Sequence, residues 1–184
     1  MSKPRSIDRD KVLDAAEAIV DKSGAAALTI DAVAKAIGIS KGGVQSCFGT
    51  KQGLVNAMLE RWGHRYDACL EKAAGVSLDD LSSIDKISHH IHITADEQAL
   101  IARAASHLSV LLEAKELREW IKRWHYERLA ELDTTTPEGR NARIAYFATE
   151  GAFVLRYFGL AELSDQAWQD TFNDIAGLMG RQAT

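Results

Sequence analysis

Apolar side chains recur along this chain at intervals of three and four residues, the period of helices that bury one side, and no stretch alternates as a strand would. Val12, Leu13, Ala16, Ile19 and Val20 make the first such face. Ser6 is its expected cap, Asp8 and Asp10 favour its opening turn, and Lys22 and Gly24 close it. Thr29 then precedes a short helix with Ile30, Val33, Ala34 and Ile37 on one side, and Gly38 permits a sharp turn after it. Ser40 caps a third helix that turns Val44, Cys47 and Phe48 inward and leaves Lys41, Gly42, Gly43, Gln45 and Ser46 outside. Gly49 ends it, and Thr50 opens a fourth carrying Leu54, Val55, Met58, Leu59 and Trp62.

The same period continues to the end of the chain. Leu78, Leu81, Ile84, Ile87 and Ile91 form one face, and Thr94 to Glu97 reads as a capping box for a helix with Leu100, Ile101, Ala104, Leu108, Leu111 and Leu112. A helix from Glu113 to Leu132 carries Leu117, Trp120, Ile121 and Trp124, and Pro137 stands in the first turn of the one that follows TTTPEG. The last two helices are lined by Ile144, Phe147, Ala148, Gly151, Leu155 and Phe158, and by Trp168, Phe172, Ile175, Leu178 and Met179. The pattern predicts an all-α protein with a helical head and a larger helical body.

Charge separates the two parts more sharply than the net of −4 suggests. Through Arg65 there are 10 Lys+Arg against 7 Asp+Glu, and from Tyr66 onward 12 against 19. A basic head on an acidic body points to an anionic partner for the head. Cys47 and Cys69 stand in a chain whose start is polar and charged, so a reducing cytoplasm is expected and a disulfide framework is not. No apolar run approaches the roughly 18 residues of a spanning helix, and no membrane partner is expected.

Two short helices joined at Gly38-Ile39-Ser40, the second with a polar exposed face, form a helix-turn-helix pattern. That gives Gly42 and Gly43 a reason. Each costs a helix about 1 kcal/mol relative to alanine. In a first turn, however, they let backbone N–H groups approach a phosphate or a base edge closely.

Residues 7 to 62 resemble the DNA-binding head of the tetracycline-repressor (TetR) family of bacterial regulators. Ala15-Ala16, Gly24, TIDAVAKAIGISKG from Thr29 to Gly42, Phe48, Lys51 and Leu54 carry the likeness. It implies a three-helix helix-turn-helix domain over 1–50 and a ligand-binding and dimerisation domain over 51–184, the first helix of the latter linking the two. It implies further that the segment after Ser40 is the recognition helix, that Lys51 holds a DNA phosphate, and that Thr29 touches the backbone. The DNA-binding residues expected are therefore Thr29, Ser40, Lys41, Gly42, Gly43, Gln45, Ser46 and Lys51. The family usually has tyrosine where this chain has Gln45, and histidine or tyrosine where it has Cys47; Gln45 can instead read adenine through two hydrogen bonds. Lys3 and Arg5 read either as a groove-reaching arm or as a solvated tail.

The family's dimers form through the last two helices, which implies an interface of Gly151, Leu155, Phe158, Trp168, Phe172, Ile175 and Met179, with Gly151 and Gly180 allowing close approach; single-subunit core packing is the alternative for each. Trp120, Trp124, His125, Phe147, Glu150, Phe153 and Tyr157 are candidate ligand-binding residues. Aromatic faces around a carboxylate suit a lipophilic cation or an aromatic compound. The chain is thus expected to be a ligand-released repressor that binds a near-palindromic DNA operator as a homodimer.

Three alternatives stand beside that reading. The body is a protein-interaction scaffold tethered to DNA; or the HHIH run at His89, His90 and His92 senses a metal; or Cys47 senses redox state. No metal site and no cofactor are expected. The motifs G-x-S-x-G, H-E-x-x-H and GxxxxGK[ST] are absent, so an enzyme is not expected either.

Overall fold

The computed structural model describes residues 7–111 and 115–180. The expected Ser6 cap, the Lys3 and Arg5 segment, and Leu112 and Glu113 lie outside the described residues. Among those described the chain forms nine α-helices and no strand: α1 Arg9–Ser23, α2 Ile30–Ile37, α3 Lys41–Phe48, α4 Lys51–Ala74, α5 Ser83–Asp96, α6 Gln98–Leu111, α7 Lys115–Leu129, α8 Pro137–Tyr157 and α9 Asp165–Leu178. Among them no helix is long and apolar enough to cross a membrane.

The helices sort into two compact units, Met1–Gly63 with Ser106–Trp120, and His64–Ala105 with Ile121–Thr184. The division falls within α4, at Gly63, and the first unit also takes in a later segment of the chain. The expected boundary at 50/51 falls at the start of α4, the linking helix, which continues unbroken for 24 residues.

In the first unit Val12, Leu13, Ala16 and Val20 of α1, Val33 and Ala34 of α2, Val44 and Phe48 of α3, and Leu54, Val55, Met58 and Leu59 of α4 are all buried. Each larger side chain contributes about 1.5–3 kcal/mol by leaving water. The caps make the helices short and definite. Asp8 accepts hydrogen bonds from the N–H groups of Asp10 and Lys11, Thr29 from Ala32, and Ser40 from Gly43. Gly38 adopts a left-handed conformation (φ 69°) that sharply ends α2. Glu17, on the inner side of α1 and 2% exposed, takes the Arg61 guanidinium of α4, whose Nη1 also reaches Asp14 at 2.8 Å.

The second unit is built around Ile87, Ile91 and Ala95 of α5, Ala142, Ala145, Tyr146 and Ala152 of α8, and Trp168, Phe172 and Ile175 of α9. Two expectations change here. Thr94 does not open a helix: it lies inside α5, where its hydroxyl donates to the His90 carbonyl at 2.8 Å. The buried face of α5 continues through Ala95, and burial holds the helix past the local capping signal. Trp168, Phe172 and Ile175, expected to face a second subunit, are spent within their own. Trp168 is 0% exposed and its indole N–H donates to the Ala95 carbonyl at 3.0 Å.

Candidate nucleic-acid interface and candidate ligand site

The outer face of α3 follows from its sequence. Val44 and Phe48, four residues apart, point into the core, so Lys41, Gly42, Gln45 and Ser46 are exposed. Two contacts from the start of the chain hold this helix at both ends. A Cβ at Gly43 would stand 2.8 Å from Cδ1 of Ile7, so a side chain there must displace Ile7. At the other end the Arg9 guanidinium donates to the Cys47 carbonyl and lies over the Phe48 ring, 4.4 Å from its centroid.

The glycine pair therefore divides. Gly43 makes room for Ile7, and its N–H is already turned to the Ser40 hydroxyl at 3.0 Å. Over Gly42 a Cβ would meet only Ser40 Oγ, at 3.9 Å. Of the two, Gly42 is the one whose backbone is open to the outside. Lys51 is exposed in the first turn of α4, beside the Thr50 hydroxyl that accepts from Gly53 N–H at 3.1 Å. An ammonium at a helix N-terminus sets charge and backbone dipole on the same anion.

In the second unit a cavity of about 450 Å³ is lined by His125, Tyr126, Leu129 and Ala130 of α7 and by Phe147 and Glu150 of α8. Its polar walls are tied to residues behind them. Glu150 Oε1 is 2.9 Å from His90 Nε2, and His125 Nδ1 is 2.7 Å from the Tyr146 hydroxyl. His90 Nδ1 in turn meets the Tyr66 hydroxyl. Behind that layer is a second cavity of about 310 Å³, whose lining includes His90, Tyr146, Asp67, Lys86 and Arg128. Arg128 lies over Trp124, 3.1 Å from the ring centroid, and its Nη2 is 3.4 Å from Asp67 Oδ1.

Burial pulls Arg128 below its ordinary pKa and likewise His125, which favours its neutral form. Burial pushes the Tyr66 and Tyr146 phenols up, so both stay protonated. Burial also works to raise the Glu150 carboxyl, but the His90 hydrogen bond and charge, with His125 and Arg128 beyond, leave it below the usual carboxylate value and ionised. The site therefore presents a carboxylate among aromatic rings.

A family model for bacterial regulatory proteins of the tetR family matches residues 12–58. A second, for the tetracyclin repressor-like C-terminal domain, matches residues 86–180, more than half of the chain. The chain belongs to the TetR family. No curated protein matches it in sequence. Among solved structures, a transcriptional regulator from Rhodococcus sp. Rha1 is similar over 94% of this chain and 96% of its own, with 16% identity and a TM-score of 0.67. The multidrug binding protein EbrR, complexed with imidazole, is similar over 96% and 97%, with 17% identity and a TM-score of 0.64. NalD, the secondary repressor of the MexAB-OprM multidrug efflux pump in Pseudomonas aeruginosa, is similar over 94% and 92%, with 18% identity and a TM-score of 0.54. This TetR-family chain is accordingly a DNA-binding transcriptional regulator with the family's helix-turn-helix head.

Of the seven ligand-site residues expected from the sequence, His125, Phe147 and Glu150 line the larger cavity. Trp120 falls in the first unit, edge-on to Trp62 with ring centroids 5.3 Å apart. Trp124 is covered by Arg128. Phe153 lies about two-thirds of a turn round α8 from Phe147 and packs on Tyr157 and Phe158. Tyr157 meets the edge of buried Trp168. Tyr66, Tyr146 and Arg128 were not expected at a site. A tyrosine at helical spacing reads as core, and only the fold shows whose hydroxyl it reaches.

Along the outer side of α8, Ile144, Phe147, Val154 and Leu155 are exposed around Gly151, over which a Cβ would meet nothing within 4 Å. Leu178 and Gly177 are exposed on α9, while Phe158 and Met179 are half-buried. Among the described residues no three His, Cys, Asp or Glu side chains are grouped to hold a metal ion; of the three histidines in HHIH, His90 alone is buried.

Proposed function

We propose that the protein is a ligand-responsive repressor that binds a near-palindromic operator as a homodimer and is released by a small molecule. The observation that carries this reading is the cavity of about 450 Å³ with the Glu150 carboxylate in its wall, in the same chain as an exposed α3 reading helix. Two α3 helices related by a two-fold axis would enter successive major grooves about 34–36 Å apart. The spacing Ile144, Phe147, Gly151, Val154, Phe158 alternates three and four residues, as in a helix seam, and supports α8 as the dimer face. With Trp168, Phe172 and Ile175 withdrawn into the core, the proposed interface is Gly151, Leu155 and Phe158 with Ile144, Phe147, Val154, Leu178 and Met179.

The inducer is a lipophilic cation or an aromatic compound. Phe147 and Tyr126 supply ring faces, and Glu150 supplies charge. The fold shared with a multidrug binding protein, EbrR, agrees with a cavity of this kind. An inducer must bind the released form better, and a tenfold preference corresponds to about 1.4 kcal/mol of coupling. The test is fluorescence anisotropy of a labelled operator, selected from random DNA by the protein, titrated with matched cations, neutral compounds and fatty acids. Cations should release the operator, and Glu150→Gln should blunt their effect. Release by fatty acids alone would contradict this assignment.

A further inference from the structure

His90 is bonded on both ring nitrogens by groups from two other helices, Tyr66 of α4 at Nδ1 and Glu150 of α8 at Nε2. The other titratable or charged groups around it are His125 and Arg128 of α7, Tyr146 of α8, Asp67 of α4 paired to Arg128, and, facing the smaller cavity, Lys86 on its own helix with Asp79, Glu127 and Glu131. Both protonation states of His90 are fully hydrogen-bonded in this arrangement. When it is neutral, the Tyr66 hydroxyl donates to Nδ1 and Nε2–H donates to Glu150. When it is protonated, the hydroxyl rotates and accepts. The charge of the site differs between the two. Arg128 and Asp67 offset each other, and Lys86 lies 4.0 Å from Glu131, so neutral His90 leaves the Glu150 charge without a cation of its own at the wall of the larger cavity, and protonated His90 cancels it.

We propose that the Glu150 cavity takes permanent organic cations, quaternary ammonium or phosphonium ions without N–H groups, in exchange for the proton of His90. The inference rests on the reading of that cavity as the inducer site. The cation enters beside Glu150, the imidazolium behind the same carboxylate gives its proton to water, and the site's charge is unchanged. The side chains of Leu129, Ala130 and Phe147 offer no acceptor, and a centre without N–H needs none. The rings of Phe147 and Tyr126 receive such a centre through their faces.

Exchange of one proton makes affinity rise with pH, approaching on the order of tenfold per pH unit while His90 is mostly charged and levelling off once it is neutral. Isothermal titration of the full-length protein with tetraphenylphosphonium, across pH and in buffers of differing ionisation enthalpy, measures the slope and the protons released. Up to one proton is expected. His90→Gln should bind with a flat profile and release none, whereas His125→Gln should keep the slope. Binding of the cation with no proton release in the unaltered protein, or a slope that survives His90→Gln, overturns the exchange and leaves the cation reading standing. Absence of binding at every pH overturns both.

Discussion

Glu17 occupies a position where the pattern of α1 calls for an apolar residue, and the Arg61 guanidinium, itself only 12% exposed, makes that tolerable. Removing one member of a buried pair strands the other, at a cost of about 3–5 kcal/mol. Arg61→Ala should therefore lower the stability of the head by about that amount in urea titration, and Glu17→Met with Arg61→Met should restore most of it. Gly42 and Gly43 differ at the same scale. Gly42→Ala has open space and gains helix propensity, so it should stabilise the head by roughly 0.5–1 kcal/mol while weakening operator binding. Gly43→Leu should destabilise it by displacing Ile7. Thermal melts paired with operator titrations separate the two. If Gly42→Ala binds DNA as tightly as the unaltered protein, no backbone of the partner comes close there. The question of two adjacent glycines was legible in the sequence. That one serves packing and the other the outer surface was not, because Ile7 lies 36 positions from Gly43.

At the scale of the element, we propose that α3 reads and α4 anchors. Gln45 sits mid-helix on the exposed face and Lys51 at the start of α4, so different contacts are expected of them. Gln45→Ala should cost about 1–3 kcal/mol on the operator and little on random DNA. Lys51→Ala should weaken binding to all sequences alike and flatten the salt dependence by about one unit of slope. Titrations of both DNAs at several salt concentrations decide it, and equal losses for Gln45→Ala on the two would remove its base-reading role. The element bounds of the head followed closely from caps and turns, because Thr29, Ser40, Gly38 and Thr50 act within one turn of their own position. In α5 that local logic failed at Thr94, where a buried face overrode a capping signal.

For the whole molecule, the proposed dimer rests on the outer side of α8. Gly151→Leu fills open space there, so it should leave the subunit folded and weaken self-association by about 1–3 kcal/mol, as overpacking does. Sedimentation beside circular dichroism reads both effects, and an undiminished dimer would place the interface elsewhere. Phe147 belongs both to this stripe, where it is 57% exposed, and to the wall of the larger cavity. Substitutions at Phe147 should accordingly alter ligand response and self-association together.

The sequence by itself determined the helical class, the position of the helix-turn-helix and its outward residues, since these depend on period, caps and turns that act over a few residues. It also supplied the likeness to the TetR family that the family models bear out. Only the tertiary structure decided which apolar residues of α8 and α9 are core and which are surface, because helical period fixes a face but not what the face meets. The same holds for the candidate ligand site. His90, Tyr66 and Glu150 stand far apart in the chain on three helices, and their hydrogen bonds exist only once α4, α5 and α8 are packed together.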